Sequence, residues 1–220
     1  MEKFYKRFGI ITRLPFWRRY LRIQHERGLD DVKALNTKPN FMGPDFTTLL
    51  CGTSGEITTD EFIKSVYSVN PKAKIIIIDL GKEQIDSVIK LINRSYTSKN
   101  IIIKQADALN LDFIPTSTID WIETDGFFCF FDEKTLPLLL FEWKRVLKNN
   151  GFVTFRDFAT TTSFGRFIDW LRMKVTKTFV KFDLNRRSKK IMDKTFSDAG
   201  FKFISKRTFI PDFYRYCLSK

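Results

Sequence analysis

Residues 47–80 read TTLLCGTSGEITTDEFIKSVYSVNPKAKIIIIDL, and they set the architecture expected for the whole chain. The pattern predicts an apolar strand, a turn of small residues, a helix, and a second apolar strand that ends on Asp79. The small residues let the backbone approach a ligand, and the helix behind them offers free N–H groups. An acid at the end of the second strand is suited to binding a ribose. We therefore expect a nucleoside-type ligand here, although turns of this kind also occur in α/β proteins without one, and the full GxGxxG spacing is absent.

Composition describes a basic globular protein. The 220 residues suit one domain with a substantial core, and the hydrophobic content of 43% is that of a soluble protein. A net charge of +13 implies an anionic partner: a nucleic acid, a lipid surface or an acidic substrate. No signal peptide and no run long enough to span a bilayer is evident, so we expect a cytoplasmic protein.

Cysteine and histidine usage argues against a metal site or disulfides. Cys51, Cys129 and Cys217 are isolated in the sequence, and the first two lie in apolar runs that predict buried thiols. His25 is the only histidine. With one histidine and no clustered cysteines, we expect no bound metal.

Strands and helices alternate after residue 46, with nearly continuous apolar strands that favour a parallel, doubly wound sheet. Gly151 is expected at a left-handed position just beyond the end of a helix. The predicted strands are 47–51, 74–79, 100–105, 119–123 and 152–156, and the predicted helices are 59–68, 82–93 and 135–147.

The two ends of the chain are basic and rich in aromatic residues. The leader predicts one or two helices broken near Pro15. A basic amphipathic helix begins at Phe164, a second basic helix covers 186–199, and strands at 201–210 and 213–218 predict an antiparallel pair. The apolar stripe from Phe164 to Phe179 has three interpretations: it faces the core, it lies in a membrane interface, or its aromatic and basic residues clamp single-stranded RNA.

The order of motifs from residue 101 onward resembles class I S-adenosylmethionine-dependent methyltransferases, and the resemblance covers roughly residue 46 to the C-terminus. The resemblance lies in IIIKQADALNLDFIPTSTIDWIE, then FEWKRVLKNNG and FVTFRDF, and it extends to the tail AGFKFISKRTF. It implies an α/β, doubly wound, mainly parallel seven-stranded Rossmann-like sheet with an antiparallel C-terminal edge. It also implies a single domain over 1–220, which comprises a helical lid (1–45), a cofactor-binding core (46–157), a basic helical insertion (158–199) and a C-terminal strand pair (200–220).

The resemblance further implies S-adenosyl-L-methionine as cofactor and S-adenosyl-L-homocysteine as product. Asp79 would hold the ribose hydroxyls with Leu80 against adenine, and Asp107 would accept from the adenine amine beside Ala108. The first motif departs from the family's pattern, since Leu50 stands where an acid is usual and one glycine is replaced. The remaining cofactor residues that the resemblance implies are Cys51, Gly52, Thr53, Ser54 and Gly55 in the loop, and Glu123 and Thr124 at the methionine end.

Three side chains are candidates to take or orient a proton in catalysis. Asp125 follows the fourth strand, where Asp-Gly is also a plain turn. Asp157 ends the fifth strand, where pairing with Arg156 is the alternative. His25 lies in a polar run that favours a surface histidine, although leader helices often cover the active site in this fold.

We expect an enzyme that transfers a methyl group to nitrogen, oxygen or carbon of a small or lipid-like acceptor, mainly by positioning the reactants. The enzyme is expected to be cytoplasmic or peripheral at an anionic membrane. One alternative is an RNA methyltransferase, which the charge of +13 favours. It ranks lower because Thr124-Asp125-Gly126-Phe127 replaces the N/D-P-P-Y signature of amino-group nucleic-acid methylation. The other alternative is a non-catalytic binding protein with this fold, which the altered first motif favours.

Overall fold

A computed structural model describes residues 15–35, 37–97, 99–180 and 183–220. The predicted leader helix before Pro15 lies outside these residues. The helices are α1 (Pro15–Ala34), α2 (Glu56–Val69), α3 (Lys82–Ser95), α4 (Thr135–Val146), α5 (Ser163–Val175) and α6 (Lys189–Asp198), with a 3₁₀ turn at Phe128–Phe130 and a π-helical turn at Thr176–Val180. The strands are β1 (Thr47–Cys51), β2 (Lys74–Asp79), β3 (Ile101–Gln105), β4 (Ile119–Asp125), β5 (Leu147–Thr160), β6 (Arg187–Ser188), β7 (Lys202–Arg207) and β8 (Phe213–Ser219).

The sheet has the order β3-β2-β1-β4-β5-β8-β7. Strands β1 to β5 are mutually parallel, whereas β8 is antiparallel to both of its neighbours. The short β6 pairs with the end of β5, off this path. The predicted α/β class, mainly parallel sheet and antiparallel C-terminal strands are confirmed. Strand order reverses at β1, so the carboxyl ends of β1 and β4 flank the crevice where such sheets bind ligands.

Both faces of the sheet are covered, as the continuous apolar strands predict. Alternate side chains of each strand face opposite layers. Leu49 and Ile76 pack with α4 and α6, whereas Leu50 and Ile77 pack with α1, α2 and α3. Helix α1 lies against α2, β5 and β8. The described part of the expected lid therefore packs on the sheet as a layer of the fold.

Strand β5 is much longer than predicted. The expectation that Gly151 has a left-handed backbone just beyond the end of a helix is therefore wrong. Helix α4 ends at Val146 with Leu147 already extended, and Gly151 lies inside β5 without a left-handed backbone. A Cβ atom on Gly151 would lie 2.9 Å from the carbonyl oxygens of Ile119 and Lys148. Glycine is required here because two backbone segments approach closely, not because a helix ends.

The interpretation that the apolar stripe of α5 faces the core is wrong. Its buried residues are Gly165 and Asp169, whereas Phe164 and Phe167 are 74% and 56% exposed. The second basic helix is shorter than predicted, since 187–188 form β6.

Among the described residues, no helix has the length and apolarity needed to cross a bilayer. Over the same residues, no cluster of three or more histidine, cysteine or acidic side chains is arranged to hold a metal ion. All three cysteines are free and buried, as predicted for Cys51 and Cys129.

Candidate functional site

A pocket of about 190 Å³ opens where the carboxyl ends of β1 to β4 meet. Its location is the crevice expected of a doubly wound sheet. Five residues predicted to bind the cofactor line it: Gly52, Asp79, Leu80, Asp107 and Ala108. The other lining residues are Ile78, Ala106, Leu109, Phe127, Phe130, Phe131 and Thr135.

Gly52 begins the turn after β1 in a conformation that favours glycine, with φ of +77°. Its N–H donates to the carbonyl oxygen of Ile78 at 2.9 Å, which ties the turn to β2. A Cβ atom on Gly52 would lie 2.8 Å from two ring carbons of Phe127. Glycine is required at this position for two reasons, the backbone angle and the close contact with the Phe127 ring.

Asp79 is buried at the end of β2 and joins two turns. One carboxylate oxygen accepts from the N–H of Thr53 at 2.7 Å, and the other accepts from the N–H of Gly81 at 2.7 Å. Burial raises the pKa of Asp79, and the backbone donors oppose that rise. Each oxygen keeps a further lone pair, so the carboxylate has capacity to accept from a ligand hydroxyl.

The turn also holds polar groups that lack a side-chain partner within the protein. The Thr53 hydroxyl is buried without a hydrogen-bond partner. Helix α2 begins after Gly55 with no side-chain cap, and a Cβ atom on Gly55 would have nothing within 4 Å. Ser54 is occupied differently, since its hydroxyl hydrogen-bonds to that of Thr58 at 2.6 Å. An uncapped helix N-terminus beside open space suits the polar end of a ligand.

The far end of the pocket is formed by the turns after β2 and β3. Asp107 is exposed, and one of its oxygens accepts from the N–H of Leu109 at 2.9 Å. Leu80 is 54% exposed, and its carbonyl oxygen accepts from the Gln105 side chain at 3.0 Å. An exposed carboxylate beside an exposed apolar side chain suits a flat base with an exocyclic amine.

An aromatic wall closes the pocket, and sequence reasoning missed it. Phe127, Phe130 and Phe131 line the pocket. Arg187 fixes this segment from β6 by donating to the carbonyl oxygens of residues 128 and 131, at 3.0 and 2.5 Å. The dense phenylalanines at 127–131 are the signal in the sequence, but their position depends on Arg187, which is distant along the chain.

Thr124 and Glu123 do not line this pocket. The Thr124 hydroxyl donates to the carbonyl oxygen of Cys51 at 2.6 Å, which joins β4 to β1. The Glu123 carboxylate lies under α1, where it is 2.5 Å from Arg156 Nη1 and accepts from Thr154. The alternation of β4 turns the Glu123 side chain toward α1, and its place at the methionine end stays a prediction.

His25 is buried, so the surface interpretation is wrong. Its Nε2 lies 3.4 Å from a Glu123 oxygen, and neither ring nitrogen has a hydrogen-bond partner of good geometry. Asp125 lies on the same side, 3.2 Å from Arg156 Nε. Burial raises the pKa of Asp125, while Arg156 opposes the rise and Glu123 adds to it.

Asp157 lies on the opposite face and is not brought together with the other two candidates. One oxygen accepts from the N–H of Phe128 at 2.7 Å and the other from the N–H of Phe158 at 2.7 Å. Arg156 pairs with Glu123 and Asp125 instead of Asp157. Burial raises the pKa of Asp157 to about 6. These contacts fit a side chain that positions the aromatic wall.

Comparison with known proteins gives a structural likeness only. No family model and no curated protein matches the sequence. Among solved structures, a S-adenosylmethionine-dependent methyltransferase from Aquifex aeolicus aligns with a TM-score of 0.57 at 17% identity, over 87% of this chain and 88% of that one. Another from Methanosarcina mazei gives 0.60 at 16% identity, over 82% and 95%.

A third structure is the geranyl diphosphate C-methyltransferase from Streptomyces coelicolor, in complex with Mg²⁺, geranyl diphosphate and S-adenosyl-L-homocysteine. It aligns with a TM-score of 0.61 at 12% identity, over 85% of this chain and 77% of that one. The strand order, the pocket and these likenesses agree, and this chain has the fold of the class I S-adenosylmethionine-dependent methyltransferases.

Proposed function

We propose that this protein is a methyltransferase that uses S-adenosyl-L-methionine and transfers the methyl group to a small or lipid-like acceptor. The observation that carries the proposal is the pocket at the strand ends, in which Gly52, Asp79 and Asp107 converge. These groups are chemically suited to a nucleoside. They offer a close backbone approach, a buried carboxylate for hydroxyl groups and an exposed carboxylate for an amine.

The residues present fit this cofactor. The unpartnered Thr53 hydroxyl and the uncapped start of α2 would receive the polar methionine end, and Leu80 with Ala108 would contact the base. When bound, S-adenosyl-L-methionine supplies an activated methyl group that carries its own leaving group. The chain itself then has to hold the acceptor in line and exclude water, and the aromatic wall at 127–131 suits the second task.

Asp125 is the side chain we propose for the acceptor side. It ends β4 next to Gly126, where a Cβ atom would have nothing within 4 Å. Its raised pKa favours a carboxyl group that takes or shares a proton nearer to neutral pH than an exposed aspartate does. His25 would act on Asp125 through the Glu123–Arg156 ion pair, and Asp157 would act through the aromatic wall.

The acceptor class is proposed from charge and from the third solved structure. A chain with a net charge of +13 favours an anionic acceptor. The Streptomyces coelicolor protein is named for geranyl diphosphate, a molecule with an apolar chain and an anionic head. We therefore place isoprenyl diphosphates and fatty acids first among the acceptors, followed by small amines and RNA.

A transfer assay with methyl-labelled S-adenosyl-L-methionine tests the proposal. Label should move to a lipid-like or small acceptor, and Asp125→Asn should lower kcat by about 10²-fold or more if the group acts as acid or base. Asp193→Asn, which changes a half-buried carboxylate on α6, is the matched control and should leave kcat unchanged. Label transferred only to RNA would favour the nucleic-acid alternative, and a folded protein that does not bind the cofactor would favour the non-catalytic one.

A further inference from the structure

Helix α5 packs with its apolar side outward. The side toward the protein carries Gly165 and Asp169, and the following Thr176 is also buried. The opposite side carries a continuous stripe along the helix, which we call the α5 stripe. Its exposed members are Phe164, Phe167, Trp170, Leu171 and Val175.

This orientation is the reverse of the usual one. Amphipathic helices of globular proteins turn the apolar stripe to the core and the charges to water. Here five large apolar side chains on one helix remain in water, and contiguous exposed patches of this kind mark interaction sites. The Phe167 and Trp170 rings stack on each other with centroids 5.8 Å apart.

The unpaired charges on and beside the stripe are positive. Arg166 and Lys174 are exposed, and among the described residues neither forms an ion pair, whereas Lys174 lies 4.2 Å over the Trp170 ring. The acid of the helix, Asp169, is turned inward and lies 3.4 Å from Arg172. The exposed surface of α5 therefore combines apolar side chains with cations: Lys174 lies on the stripe, two turns after Phe167, and Arg166 lies beside it.

We propose that α5 docks the protein on an anionic lipid bilayer. The α5 stripe would enter the boundary between headgroups and acyl chains, with Arg166 and Lys174 at the level of the phosphates. Helices that lie in this interface combine Phe, Trp and Leu on one side with Lys and Arg on the other. Each basic residue near such a surface adds attraction to anionic lipid.

The charge and the shape of the stripe favour lipid over other occupants. A second copy would bring two chains of +13 and two sets of exposed cations together. Stacking on single-stranded RNA uses aromatic faces. The α5 stripe continues into the aliphatic Leu171 and Val175, which suit hydrocarbon and not bases. The proposal is independent of the cofactor pocket, because α5 contributes no residue to it.

Flotation with vesicles tests the proposal, with the full chain and no cofactor. The protein should float with vesicles of phosphatidylcholine and phosphatidylserine and bind pure phosphatidylcholine at least about tenfold more weakly. Phe167→Ser with Trp170→Ser should weaken binding by about tenfold or more, because each buried aromatic ring contributes strongly to transfer. The matched control, Leu138→Ser with Phe141→Ser, removes side chains of 56% and 67% exposure from α4 and should leave binding unchanged.

Two double variants that each remove two positive charges separate attraction to anionic lipid from nonspecific binding to vesicles. Arg166→Gln with Lys174→Gln should weaken binding to the anionic vesicles by about fivefold for each charge removed. Lys90→Gln with Lys202→Gln changes the net charge equally on other exposed positions and should have little effect.

Several results would overturn the docking proposal. These are flotation that is insensitive to the α5 stripe, equal loss in the α4 control, a stripe-dependent dimer in sedimentation, or stripe-dependent RNA retention without vesicle binding. Titration of the same variants with S-adenosyl-L-methionine keeps the two proposals apart. A variant that loses flotation but binds the cofactor normally tests the docking of α5 without bearing on the cofactor pocket.

Discussion

Replacement of Gly52 by alanine should destabilise the fold through two separable effects. The backbone of Gly52 has φ of +77°, and a residue with a Cβ atom in the left-handed region costs about 1–2 kcal/mol. The new Cβ atom would also lie 2.8 Å from two ring carbons of the buried Phe127, and overpacking costs about 1–3 kcal/mol. We expect the free energy of unfolding to fall by about 2–5 kcal/mol, measured by urea denaturation.

A matched glycine isolates the steric part. Gly126 has a similar left-handed backbone, with φ of +60°, but a Cβ atom there would meet nothing within 4 Å. Gly126→Ala should therefore lose only the conformational part, about 1–2 kcal/mol. Adding Phe127→Leu to Gly52→Ala removes ring atoms from the clash, so the double variant should be more stable than the sum of the single effects by about 1–3 kcal/mol.

Equal losses for Gly52→Ala and Gly126→Ala would refute the argument, and so would strict additivity in the double variant. Either result would mean that the Phe127 ring does not rest on the turn after β1. The aromatic wall would then lie elsewhere, and the pocket would have a different shape.

Three further predictions concern buried charges and a close backbone contact. Arg156→Met should lower the free energy of unfolding by about 3–5 kcal/mol, because Glu123 and Asp125 would keep buried charges without their cation; urea denaturation at neutral pH measures this. Asp157 has a folded-state pKa of about 6 against about 3.9 unfolded, so its ionisation costs about 3 kcal/mol. The stabilising contribution of Asp157 is fully present below about pH 4 and is lost as pH rises through about 6. The free energy of unfolding of wild type relative to Asp157→Asn should therefore be greater at pH 4 than at pH 7. A constant difference would contradict this. Gly151→Ala, which brings a Cβ atom within 2.9 Å of two carbonyl oxygens, should lower the melting temperature by several degrees in calorimetry; an unchanged value would show that β4 and β5 are not so close there.

The parallel strands were within reach of the sequence because local patterns determine their ranges. KIIIID is apolar throughout, so β2 is predicted with its observed bounds, and Asp79 follows at its carboxyl end. Parallel strands bring their carboxyl ends to one edge, so Gly52, Asp79 and Asp107 meet without knowledge of any side-chain contact. Their role in binding a cofactor stays a prediction.

The features that the sequence did not predict depend on contacts between distant segments. The polar Asn149-Asn150-Gly151 has the composition of a turn, yet it continues β5 through an irregularity in the pairing with β4, between Leu147 and Phe152. His25 lies in a polar run, yet Glu123 and Arg156 accommodate it inside the fold. The stripe of α5 has ordinary amphipathic periodicity, which gives the period but not the direction in which the stripe points.

Calorimetric titration with S-adenosyl-L-methionine and S-adenosyl-L-homocysteine tests the central claim most directly, on wild type and two leucine variants. Leu80 lines the pocket and Leu138 lies on α4, with exposures of 54% and 56%, so truncation of either should leave stability nearly unchanged. We predict binding by wild type and by Leu138→Ala, and about tenfold weaker binding by Leu80→Ala, since a large apolar contact with the base is removed. Absence of binding to folded wild-type protein, or equal affinity in the two variants, would contradict the assignment of this pocket to the cofactor.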